Sequence, residues 1–142
     1  MERKKTNELI QEIIKEKSFQ RFAEQNKENF VTKDFAGYLQ ELCLKKNVIP
    51  EHVIKAADIY RTYGHQLFNG TRKPSRDKVI QLAFAFGMSV DETQEFLRVA
   101  GKNELYPRIK RDAAILFALS KHMTMQEAQE LLASVDVSIL GE

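Results

Sequence analysis

The chain has 142 residues, a length that suits one compact domain with short helical additions and can bury a core without metal or disulfide staples. Apolar residues make up 43% and charged residues 30%, an ordinary globular balance, and no apolar run approaches the roughly 20 residues of a membrane span. The net charge is +2 and Cys43 is the lone cysteine, so an internal disulfide is excluded and a reducing cytoplasm is the implied compartment.

The start, Met1-Glu2-Arg3-Lys4-Lys5, leads into an amphipathic stretch without the hydrophobic region of a secretory signal. Apolar residues recur at three and four, never at two, so the chain reads as all-α. A first helix is predicted over 6–17, with Leu9, Ile10, Ile13 and Ile14 on one face, then a short segment with Phe19 and Phe22. The polar stretch 24–29 reads as a loop or frayed turn. A helix capped near Thr32 runs to about Lys46, carrying Phe35, Leu39, Leu42 and Cys43, the last as a small buried apolar residue. Pro50 suits the first turn of a short helix over 50–57, where its missing N–H costs nothing. A turn at Asp58-Ile59-Tyr60 leads to a second short helix over 61–68, ended by Asn69-Gly70. The helix over 75–86 has two apolar stripes, Val79, Leu82, Ala83 and Phe86 on one and Ile80 and Phe84 on the other. Such a helix must lie between two layers, which brings the terminal helices onto the central domain.

Ser89-Val90-Asp91-Glu92 and Thr124-Met125-Gln126-Glu127 are capping boxes that open two further helices, the first ending near Ala100 with Gly101 beyond it. Between them Pro107 is predicted to begin a helix to about Lys121. Its run 113–119 is apolar nearly all round, which suggests deep burial or a subunit contact. The last helix carries Met125, Ala128, Leu131, Leu132 and Val135. No internal repeat stands out.

The charge is unevenly spread. Residues 61–78 hold Arg61, Arg72, Lys73, Arg76 and Lys78 against Asp77 alone, a local +4 on a chain of +2. A phosphate-binding face needs such a patch, although a solvated surface can also carry one. The patch follows two short helices joined by a tight turn, with Val53, Ala57, Ile59 and Leu67 placed to fix their crossing. A short second helix can enter a DNA major groove while the first braces it.

Residues 34–97 resemble the Cro/lambda-repressor (XRE) helix-turn-helix family. The resemblance rests on Leu67-Phe68-Asn69-Gly70, on Arg72-Lys73-Pro74-Ser75, and on the run 82–92 behind them. It implies a lambda-repressor-like five-helix domain over 34–101, with helical extensions over 1–33 and 102–142, the latter packed on the core. It places Arg61, Thr62, Tyr63, His65 and Gln66 toward base edges, with Arg61 suited to guanine and Gln66 to adenine. Asn69, Thr71, Arg72, Lys73 and Arg76 fall toward phosphates. Tyr63 could instead cover the helix, and Arg76 could merely decorate its own first turn.

Three positions depart from the family pattern: Ile54 for a small alanine, Asp58 for the turn glycine, and Gly64 for a buried aliphatic. Ile54 and Gly64 face each other at the helix crossing, so a volume exchange is expected. Asp tolerates a left-handed backbone better than most residues, and Gly64 weakens its helix by about 0.5–1 kcal/mol.

His52, His65 and His122 lack ligand spacing, and no P-loop, nucleophile elbow or dinucleotide fingerprint occurs, so neither metal, cofactor nor enzyme is implied. Met88, Met123 and Met125 read as core filler. The expectation is a transcriptional regulator, most simply a repressor, binding double-stranded DNA as a homodimer, with the run 113–119 as the candidate dimer contact. The alternative is an adaptor for an unidentified protein partner on the same scaffold.

Overall fold

The computed structural model describes residues 4–30 and 34–141. Among these residues it is all-helical, and no helix is long and apolar enough to cross a membrane. The chain forms two compact units, 1–32 and 33–142.

The first unit contains α1 (Thr6–Lys15), α2 (Phe19–Gln25) and a 3-10 turn, Lys27–Asn29. Ser18 caps α2, accepting from the amide of Arg21, so α1 stops two residues earlier than predicted to leave the cap extended. The polar stretch read as a loop or frayed turn is a turn ordered by Asn26. That side chain is buried and donates to the Glu12 carboxylate at 2.8 Å and to the Phe22 carbonyl at 3.1 Å.

The second unit runs α3 (Phe35–Lys46), α4 (Pro50–Ala56), α5 (Arg61–Asn69), α6 (Arg76–Phe86), α7 (Val90–Val99), α8 (Lys110–Ser120) and α9 (Met125–Ser134). The cap predicted at Thr32 lies outside the described residues. Asp34 caps α3, accepting from the amide of Gly37 at 2.8 Å. Pro50 occupies the first turn of α4, and both capping boxes form as read. Pro107 does not open α8. It sits inside a turn closed by the Ile109 amide on the Tyr106 carbonyl at 3.0 Å, a position that suits its fixed φ, and the helix starts three residues later.

Helix α6 lies at the centre, packed against α4, α7 and α9, and both of its apolar stripes are buried. The C-terminal helices therefore share the main core, supplying Ile115, Ala118, Leu119, Met125, Ala128 and Leu132. Phe96 anchors the α3 side, with Phe35 and Tyr38 stacked on it at 5.4 and 5.7 Å between centroids. Of the two readings of 113–119, burial accounts for Ile115, Ala118 and Leu119, and on that helix only Phe117, 49% exposed, remains a large apolar side chain facing out.

A repeat is present after all. The hairpins α6–α7 and α8–α9, each with its following tail, correspond at a constant spacing of 35 residues. Arg76/Arg111, Asp77/Asp112, Met88/Met123, Glu92/Glu127, Gln94/Gln129 and Leu105/Leu140 coincide. So do the left-handed residues between the helices, Gly87 and His122, and those after them, Gly101 and Asp136. The correspondence extends to bonding. The Gln94 side chain exchanges two hydrogen bonds with the Leu105 backbone at 2.8 and 2.9 Å, and Gln129 does the same with Leu140, both at 2.8 Å.

The two repeats hold each other reciprocally. Arg76 is bidentate to Asp112 at 2.8 and 3.1 Å, and Arg111 is bidentate to Asp77 at 2.9 and 3.0 Å. Each arginine also donates to two carbonyls of its own tail, Asn103 and Glu104 or Ser138 and Ile139. Contacts in which residue i meets j and j meets i are the mark of a two-fold pairing, here within one chain.

Candidate nucleic-acid interface

The α4–α5 pair is joined through Asp58, whose φ of +56° supplies the left-handed step expected of it. The Ile59 amide closes the end of α4 on the Ile54 carbonyl at 3.2 Å. The expected volume exchange is real. A Cβ built on Gly64 would lie 2.5, 2.6 and 2.8 Å from three side-chain carbons of Ile54, and both residues are buried. Gly64, Leu67 and Phe68 form the inward side of α5.

The outward side carries Arg61, Thr62, His65, Gln66 and Asn69, which fall within one arc of the helix. Thr71, Arg72 and Lys73 follow in the exposed loop after the left-handed Gly70. Asn69 uses its side-chain oxygen on the amide of Thr71 at 2.9 Å and on its hydroxyl, so it shapes that loop. Tyr63 is half-buried and lies under two cations, the Arg72 guanidinium at 4.5 Å and the Lys78 ammonium at 5.5 Å. Arg72 also donates to the Gln66 side chain at 2.9 Å.

Arg76 does not join this surface. Four hydrogen bonds, two of them to the buried Asp112, turn it toward the second repeat. Its expected phosphate contact is therefore replaced by a structural ion pair. The sequence pointed to no anion beside it, because Asp112 lies 36 positions away.

Three residues that sequence reasoning did not single out belong to the site. Glu51 on α4 accepts from Arg61 at 2.7 Å and meets His65 Nε2 at 2.7 Å, linking two of the outward residues. Hydrogen bonds from Arg61 and then His65 hold its carboxyl below the usual carboxylate range. Glu51 falls outside 61–78, so a charge count of that segment overstates the positive face. Lys78 was counted only as charge. Gln81 stands inside the apolar run Val79-Ile80-Gln81-Leu82, and a polar residue there was the available signal.

The chain matches no protein-family model, no curated protein and no solved structure.

Proposed function

We propose that the second unit is a lambda-repressor-like helix-turn-helix domain that binds double-stranded DNA as a transcriptional regulator, with α5 as its reading helix. One observation carries the reading. A short helix is fixed on its inward side by the Gly64–Ile54 fit and presents an uninterrupted polar arc outward, beside a loop bearing Arg72 and Lys73. Apolar residues on one side and donors on the other are what a groove-inserted helix requires. Arg61, Thr62, His65 and Gln66 read base edges, and Asn69, Thr71, Arg72 and Lys73 set the register on phosphates. Two subunits reading half-sites supply the specificity that one short helix lacks.

Glu51 favours a second reading, an adaptor that binds an unidentified protein. A carboxylate bonded to Arg61 and His65 opposes phosphate approach at that edge. Equilibrium titration separates the two. On a site obtained by selection, Arg61→Ala weakens binding by about 1–3 kcal/mol, and Lys73→Ala lowers the log–log salt slope by about 1. Weak binding that is equal on every duplex supports the adaptor.

A further inference from the structure

The two repeats differ where the first one touches the α4–α5 pair. Lys78 corresponds to Ala113 and Gln81 to Leu116. Gln81 is 2% exposed, and each end of its carboxamide is engaged. Its nitrogen donates to the carbonyls of Ala57 at 3.0 Å and Asp58 at 3.4 Å, at the end of α4 and the turn into α5. Its oxygen accepts from the Lys78 ammonium at 3.2 Å. Lys78 in turn lies over the Tyr63 ring on α5, and from that ring the contacts continue to Arg72 and Gln66. Gln81 thus holds the turn with one end of its carboxamide, and from the other a path of contacts runs through Lys78 and Tyr63 to the outward face.

The chemistry explains the difference between repeats. The last carbonyls of a helix have no partner within it and need one from outside. On α6 the first repeat covers such a helix end, so an amide donor stands at position 81. On α8 the corresponding Leu116 packs against the core, where no donor is needed. Leucine at 81 would leave the Ala57 carbonyl and the Lys78 ammonium without these partners.

We infer that Gln81 is the positioning residue of the reading helix: it fixes the α4–α5 turn, and through Lys78 and Tyr63 the pose of the face that meets DNA. Its consequence for DNA rests on the function proposed above, whereas its grip on the turn does not. The test exchanges residues between the repeats in the full chain, Gln81→Leu and, as the matching control, Leu116→Gln.

In the free protein, Gln81→Leu accelerates hydrogen exchange at the Ile59 and Gly64 amides at least tenfold with unchanged helix content, and Leu116→Gln leaves both protected. On duplex DNA, Gln81→Leu lowers the preference for a selected site over random sequence at least tenfold. The salt slope stays the same, because Arg72 and Lys73 are untouched. Gln81→Glu provides a second measure should the leucine variant not fold. A carboxyl can donate to the turn carbonyls only when protonated, so protection at Ile59 recovers toward the wild-type value at the same pH as the solution is acidified. Equal exchange in the two swapped variants, or no recovery in Gln81→Glu, overturns the inference. Loosened amides in Gln81→Leu alongside a wild-type protein that prefers no sequence uphold the grip on the turn and overturn the DNA reading instead.

Discussion

Gly64 and Ile54 show how one backbone position decides the fit of two helices. Three carbons of Ile54 lie within 2.8 Å of where an alanine methyl would stand, and Ile54 is buried with little room to retreat. Alanine improves helix propensity by about 1 kcal/mol, but overpacking a filled core costs about 1–3 kcal/mol, so the clash wins. Gly64→Ala is expected to lower the urea midpoint. In an Ile54→Ala background, itself destabilised by about 2–5 kcal/mol, the sign reverses and Gly64→Ala raises it. This exchange was legible in the sequence because both residues depart, at facing positions, from the pattern of the family that the segment resembles. Glu51 was not, because its partners Arg61 and His65 come within reach only after the chain turns at Asp58.

At the scale of elements, the reciprocal Arg–Asp pairs hold the two repeats together. Burial pushes the Asp112 carboxyl up, but Arg76, the Tyr106 amide and the charge of Arg111 outweigh it and hold the group below its usual range. Asp77 behaves alike: burial raises it, and Arg111 and the Gly141 amide pull it lower still. Both folded values are depressed, so this stabilisation is complete above the usual carboxylate range and is lost as pH falls through the folded values. The thermal midpoint should stay level from neutral pH to about 5 and drop below about 4, with a shallower drop in Asp112→Asn. Arg76→Gln removes the bidentate partner of the buried Asp112 carboxylate and should cost about 3 kcal/mol in chemical denaturation, while the salt slope of DNA binding stays unchanged.

The same matching predicts that Gln94→Ala and Gln129→Ala cost similar amounts, about 1–3 kcal/mol each, since each removes the same pair of bonds to a tail. Caps and breakers made most element boundaries legible: Pro50, Ser89, Thr124 and Gly70 act through bonds to near neighbours in the chain. The repeat is hard to read in the sequence because its shared residues are scattered among diverged ones. The most telling of them, Arg76 with Asp112 and Arg111 with Asp77, carry meaning only once the hairpins face each other.

For the whole molecule, the packing of α6 between layers was readable from its two stripes, and the joining of α8 and α9 to the core follows from it. The run 113–119 did not by itself tell core from surface, and α8 spends its Ile115, Ala118 and Leu119 within the chain. The modest net charge conceals a division of labour. Arg76 and Arg111 neutralise Asp112 and Asp77 inside the repeat pair, and Arg72 and Lys73 remain in the exposed loop beside α5. A protein built this way should bind DNA locally through α5 and its loop, with steep salt dependence. Selection of binding sites from random duplex DNA, run in parallel on the wild type and Arg61→Ala, tests this most directly. DNA reading by α5 predicts enrichment of two half-sites related by a two-fold and about one turn (roughly 10 bp) apart, lost in Arg61→Ala. A pool that stays random with the wild-type protein, or one that enriches the same sites without Arg61, would contradict it.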